Sequence, residues 1–267
     1  MIHPSAQIHP EAKLGAGTTI GPGAIVDEHV VIGANCEIQA HAVLTGHTTL
    51  GDNNRVGYGA IVGGEPQDLA FDRETISHVV IGNNNTIREY ATIHRGTKPG
   101  TATVVGNNCF LMAGAHLAHN CKLGDHVILA NNVLCAGYVE IGGRAFIGGG
   151  AVIHQFCRIG RCALMQGNAG VSKDLPPFMV AAGANHLAGM NAVGLKRNGV
   201  PPENRMALKR LYHHLFRSGK NISEALRSLQ EFPELPEIQE VVAFVQSSKR
   251  GVLTPRTKAR AETDESV

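Results

Sequence analysis

The sequence predicts a mainly β protein: a parallel β-helix built from six-residue repeats, followed by a small helical domain. Two observations carry this. Aliphatic residues recur at every sixth position over most of the chain, and the period stops near residue 171, where a 3.6-residue periodicity takes over.

Every sixth residue from position 2 reads Ile2, Ile8, Leu14, Ile20, Val26, Ile32, Ile38, Leu44, Leu50, Val56 and Val62. Neither a helix nor an ordinary strand has this period. The following position is often Gly, and the fourth position after each aliphatic is small, as in Ala6, Ala12, Ala24 and Ala42. The phase returns at Ile81, Ile87 and Ile93, then runs from Val105 through Leu111, Leu117, Leu123, Leu129 and onward to Val171. Repeats of this kind make a parallel β-helix in which three units form one coil and the aliphatic residues stack inward. About 26 such positions imply eight to nine coils, or ~40 Å of stack at ~4.8 Å per layer. The spacing itself does not show the hand of the coil.

Residues 1–190 are therefore expected to form the β-helix, with loops ejected at about 63–80 and 94–104, where polar residues and Pro66 or Pro99 break the phase. Long loops on a rigid scaffold are favoured places for function. Residues 191–253 are expected to be helical. Leu208, Leu211, Tyr212, Leu215 and Phe216 form an amphipathic stripe, and Asn221 with Glu224 makes a capping box ahead of Ala225, Leu226 and Leu229. A further helix carries Ile238, Val241, Val242 and Val245. Residues 254–267 are charged and aperiodic, and disorder is expected there.

Composition narrows function. A formal net charge of +2 gives no general case for nucleic acid or membrane binding. There is no charged-then-apolar leader and no apolar run of the ~18–20 residues that a membrane span needs. A soluble, cytoplasmic protein without stable membrane insertion is expected. Cys36, Cys109, Cys121 and Cys157 fall on the small-residue position and Cys135 on the aliphatic one. They are expected to be packing residues rather than a disulfide or metal framework.

The stretch Leu111 to Cys121 places His116 and His119 on either side of Leu117. A coil of about 18 residues puts His119 one coil from Gly137 and His116 beside Leu134. Neutral imidazole is a base near pH 7, and a glycine without a side chain leaves its N–H open. A base with an amide donor beside it is minimal equipment for acyl transfer, one activating a hydroxyl and the other holding an oxyanion.

Several motifs agree, in order, with a known family. Gln67-Asp68-Leu69, Thr92-Ile-His-Arg-Gly-Thr97, His116-Leu-Ala-His119, Ile128-Leu-Ala-Asn-Asn132, His154-Gln-Phe-Cys157 and Gly194-Leu-Lys-Arg197 resemble the UDP-N-acetylglucosamine O-acyltransferases, which open lipid A synthesis. The resemblance covers roughly residues 1–252. It implies a left-handed β-helix, a homotrimer with sites between subunits, and transfer of a 3-hydroxyacyl chain from acyl carrier protein to the glucosamine 3-hydroxyl, without a cofactor. His119 is then the general base and the Gly137 N–H the oxyanion donor. Asp68, His116, His154 and Gln155 would contact the sugar side. Asn191 and Arg197 would hold the diphosphate and uridine end, an arginine fork suiting phosphate. Gly167 occupies the place of the acyl-chain ruler, and Arg158, Arg161 and Lys173 are candidates for carrier-protein docking. Zinc sites in hexapeptide proteins resembling carbonic anhydrase use histidines five residues apart. None of the fourteen histidines here has that spacing, so no metal is expected.

Four positions depart from the family pattern: Asn120 where Asp is frequent, Ala70 where Lys is expected, Tyr138 in place of His, and Val193 in place of an acid. They leave open N-acylation of a 3-amino sugar nucleotide. A non-catalytic β-helix and another hexapeptide acyltransferase are the remaining alternatives.

Overall fold

The computed structural model describes residues 1–255. Three sheets of nine, eight and ten short strands run along the coil, each strand but the last few of the ten-stranded sheet pairing with the one three places on. The pairing is parallel throughout, as in Ile8 against Val26, Ile20 against Ile38 and Leu117 against Cys135. The exception is the last pair, Met179–Ala182 against His186–Met190, which is antiparallel and closes the third sheet. Most strands are two residues long, one side chain inward and one outward.

The inward column is the predicted six-residue period. Ile32, Leu44, Ile87, Leu111, Leu117 and Leu129 are all buried, with small residues such as Ala24, Ala42 and Cys121 beside them at the corners. The coil is too narrow for aromatics, which accounts for their scarcity. At most corners the residue three past the aliphatic one turns left-handed. Asn35, Asn53, Asn84, Asn108, Asn120 and Asn132 have φ between 55° and 60°, the conformation that asparagine tolerates better than most residues.

The two loops leave this stack without breaking it. The first sheet passes from Val62 straight to Ile93, and the second from Leu50 to Ile81. The chain between Gly64 and His78, and again between His94 and Ala102, is extra length ejected at a corner. All six cysteines are free and buried. Burial pushes the Cys109 and Cys157 thiols up to about 11 and Cys121 to about 12, as expected of packing residues.

Four helices follow: α1 Ala192–Arg197, α2 Pro202–Phe216, α3 Ile222–Arg227 and α4 Pro236–Gln246. The expected capping box at α3 is formed, with Asn221 Oδ1 accepting from Glu224 N at 2.9 Å and Asn221 N donating to Glu224 Oε2 at 3.1 Å. The helices share a second apolar core of Phe178, Leu195, Leu208, Leu211, Leu215 and Val241. Arg158 and Arg161 hold α4 to the β-helix. Arg158 donates to buried Asp174 at 3.1 Å and lies over the Phe244 ring, while Arg161 donates to Glu240 at 2.7 Å and lies over Phe178. Of the three basic candidates for carrier-protein docking, Arg158 and Arg161 are thus half-buried and engaged by partners on the chain, while Lys173 is exposed. The chain after α4 still pairs, Thr254 bridging His186. The disorder expected of the tail falls otherwise on 256–267, outside the described residues.

Candidate active site

His119 sits two residues past Leu117, at the corner where the first sheet hands over to the second. That position points outward, over the equivalent residue of the next coil, Gly137. A Cβ built on Gly137 would lie 2.6 Å from His119 Nε2 and closer still to Cε1, so the imidazole occupies the space that a side chain at 137 would need. The Tyr138 N–H donates to the His119 carbonyl at 3.0 Å and sets this stacking.

The Gly137 N–H is open for a reason that lies in the corner geometry. At four successive corners following the second sheet, this N–H is taken by an Asp or Asn side chain one coil on. Asp52 accepts from Ala34, Asn83 from Asp52, Asn107 from Asn83 and Asp125 from Asn107, each at 2.7–2.8 Å. At the His119 corner the column holds Gly137 and then Gln155 instead. Among the described residues no carbonyl or side chain accepts from the Gly137 N–H.

A groove of about 1010 Å³ surrounds this pair, lined by Gln67, Thr92, His116, His119, Gly137, Leu134, Val152, His154 and Gln155 among others. Its floor is apolar, with Leu134 47 % and Val152 45 % exposed. His116 faces it from the strand before, with Nδ1 2.7 Å from Thr92 Oγ1. His154 lies across it, with Nδ1 3.3 Å from an Arg250 guanidinium nitrogen. Behind His116 stands His94, edge-on at 4.8 Å between ring centroids. It is only 8 % exposed, and burial, with His116 and His119 adding to it, pushes its imidazole down to about 4. His94 is therefore a neutral backing to His116 and does not line the groove. Sequence inspection passed over it, though it stands one place past Ile93 in a quoted motif.

The other expected residues fall elsewhere. Asp68 is exposed on the first loop and accepts from Ala70 N at 3.0 Å, while its neighbour Gln67 lines the groove. Asn191 is the N-cap of α1, accepting from Gly194 N and donating to the Cys162 carbonyl, both at 2.9 Å. Arg197 lines a separate hollow with Ala192, Val193, Lys196 and Arg205. Gly167 follows the third sheet, at a different corner from His119. Within one chain these three are not brought to the groove. Arg95 is a residue that the sequence did not flag. It is 8 % exposed, donates to the carbonyls of Thr75 at 2.6 Å and Arg73 at 3.3 Å, and lies over Phe71, pinning the first loop to the coil. No group of three His, Cys, Asp or Glu side chains among the described residues is placed to hold a metal ion, and no described helix is long and apolar enough to cross a membrane.

A hexapeptide β-helix with an outward imidazole packed on a glycine has the make-up of a hexapeptide-repeat transferase. Comparison narrows the class. Residues 29–64 and 102–137 match the bacterial transferase hexapeptide model, and residues 174–253 match the model described as UDP N-acetylglucosamine O-acyltransferase, domain 2. A Burkholderia lata protein named acyl-[acyl-carrier-protein]--UDP-N-acetylglucosamine O-acyltransferase is 42% identical over 210 residues, 76% of this chain and 80% of its own. The solved UDP-N-acetylglucosamine acyltransferase of Bacteroides fragilis aligns with a TM-score of 0.91 at 41% identity, over 94% of this chain and 99% of that one. The Francisella novicida enzyme aligns at 0.93 and 37%, over 97% and 96%. The chain belongs to the UDP-N-acetylglucosamine O-acyltransferase family, and its coil is the left-handed parallel β-helix of that family.

Proposed function

We propose that this protein transfers a 3-hydroxyacyl chain from acyl carrier protein to the glucosamine 3-hydroxyl of UDP-N-acetylglucosamine, the opening step of lipid A assembly. Family membership supports the reaction and its two substrates. The observation that carries the mechanism is the His119 ring lying where a Gly137 side chain would stand, next to a Gly137 N–H that no described group accepts from. His119 takes the proton of the sugar hydroxyl as its oxygen attacks the thioester carbon. The carbonyl oxygen gains the charge and the Gly137 N–H holds it, as an oxyanion donor does. Collapse breaks the carbon–sulfur bond, and the imidazolium returns its proton to the departing thiolate. A thioester already carries its leaving group, so no cofactor enters the scheme.

The apolar floor at Leu134 and Val152 suits the acyl chain. His116, His154, Gln155 and Asp68 would serve the sugar side, while Asn191 and Arg197 would serve the diphosphate and uridine. The distance of those two, and of the Gly167 ruler, from His119 within one chain supports a site completed by a second copy. So do the outer faces of the sheets. Over the later coils the first and third expose Leu134, Val152 and Phe146, whereas the second presents Lys122, Glu140 and Arg158. Two unlike apolar faces on one prism suit a closed ring, here a homotrimer. A cytoplasmic location follows from dependence on a soluble acyl carrier protein.

The test is turnover of UDP-N-acetylglucosamine and its 3-amino analogue against a ladder of 3-hydroxyacyl carrier proteins. The expected result is O-acylation of the natural sugar nucleotide. Preference for the amino analogue would overturn the acceptor assignment and favour N-acylation.

A further inference from the structure

His119 is held by a hydrogen-bonded chain that begins on the second loop. Thr97, in the stretch between His94 and Ala102, donates its backbone N–H to Asn120 Oδ1 at 3.1 Å and lies with Oγ1 3.0 Å from the same oxygen. Asn120 Oδ1 is in turn 3.0 Å from His119 Nδ1. Tyr138 OH is 3.0 Å from Thr97 Oγ1, and its ring meets the His119 ring edge-on and stacks on Phe156. Asn120 is only 7 % exposed.

The direction of each bond follows from what the groups can do. A backbone N–H only donates, so the asparagine atom facing Thr97 must be the oxygen. An amide oxygen only accepts, so His119 Nδ1 must carry a hydrogen. Thr97 Oγ1 gives its single hydrogen to Asn120, which leaves Tyr138 O–H as donor to Thr97. The left-handed turn at Asn120, φ 60°, aims the side chain back at its own neighbour's ring.

We propose that Thr97 and Asn120 are positioning residues that lock His119 in the tautomer with Nδ1–H and a free Nε2 lone pair, through a neutral amide rather than a carboxylate. The inference rests on His119 being the base. It makes the second loop part of the catalytic apparatus without touching substrate. It also gives Asn120 a distinct consequence: the lock orients the ring and adds no negative charge. The titratable and charged groups around the ring are His94 and His116 from the preceding strands, Arg95 one coil before, Tyr138 one coil after, and His154 across the groove.

The experiment compares Thr97→Val, Thr97→Ser, Asn120→Gly and Asn120→Asp in the full-length protein, with ¹⁵N spectra of histidine-labelled wild type assigned through His119→Gln. Wild-type His119 is expected to show Nδ1 protonated and Nε2 bare. Thr97→Val and Asn120→Gly are expected to lower kcat roughly 10- to 100-fold with KM little changed, as misplacement of a base does, and Thr97→Ser to restore it. Asn120→Asp should stay active but move the rising limb of the kcat/KM profile up by about one pH unit, because a carboxylate favours the imidazolium. A wild-type His119 protonated on Nε2, a Thr97→Val enzyme with unchanged kcat, or an Asn120→Asp profile that does not move would overturn the proposal. Failure of the base assignment itself is told apart by His119→Ala, which must then retain turnover.

Discussion

At the scale of single residues, Gly137 and His94 make the sharpest demands. Gly137 has no left-handed backbone to excuse its lack of a side chain, so the reason for glycine is the imidazole resting where a Cβ would be. Gly137→Ala should therefore displace the His119 ring and cut kcat by roughly 100-fold or more, removing base geometry and donor access together. Circular dichroism should show an intact coil. His94 makes a different demand. Its folded-state value, about 4, lies below the ordinary histidine value near 6.5, so the unfolded chain is the better proton acceptor. Stability contributed by neutral His94 is complete above pH 6.5 and falls as pH drops toward 4, by on the order of 3 kcal/mol. Urea unfolding of wild type and His94→Gln at pH 7 and pH 4.5 checks this, the variant losing less stability between the two. His119 and Gly137 were legible in the sequence because the 18-residue coil places them in register. His94 was not, because its burial comes from Gly64 of the neighbouring strand on one side and the His116 ring on the other.

At the scale of elements, the first loop stays in place through Arg95, which is buried under the segment it holds. Arg95→Ala should free the loop carrying Gln67 and Asp68. The expected outcome is a rise of about tenfold in KM for the sugar nucleotide with a smaller change in kcat, since the reacting groups lie on the coil itself. Steady-state kinetics with the sugar nucleotide varied decides it, and an unchanged KM would contradict the loop's role. The two loops were visible as breaks in the period, and the helical stripes and the Asn221 capping box as patterns. The short helix α1 was not, because six residues are too few to show a stripe. The partners of Arg158 and Arg161 were hidden for a related reason. A basic surface and a pair of anchors for α4 have the same composition, and only the fold shows that Asp174, Glu240 and Phe244 are their partners.

At the scale of the whole molecule, a strict six-residue period made the architecture plain, because a coil with one inward residue per strand admits little besides aliphatic side chains in that column. How copies associate is written less directly, in outer faces whose residues alternate with the core and vary from coil to coil. The apolar faces of the first and third sheets predict a mass in light scattering of three 28.3 kDa chains at micromolar concentration. A monomer would contradict a site completed by Asn191 and Arg197 of a neighbour. The central claim, that the groove at His119 performs the acyl transfer, is tested most directly by the His119→Ala protein assayed with UDP-N-acetylglucosamine and 3-hydroxyacyl carrier protein. The account predicts a folded trimer that still binds the sugar nucleotide and forms product at least 100-fold more slowly than wild type; turnover within tenfold of wild type would contradict it.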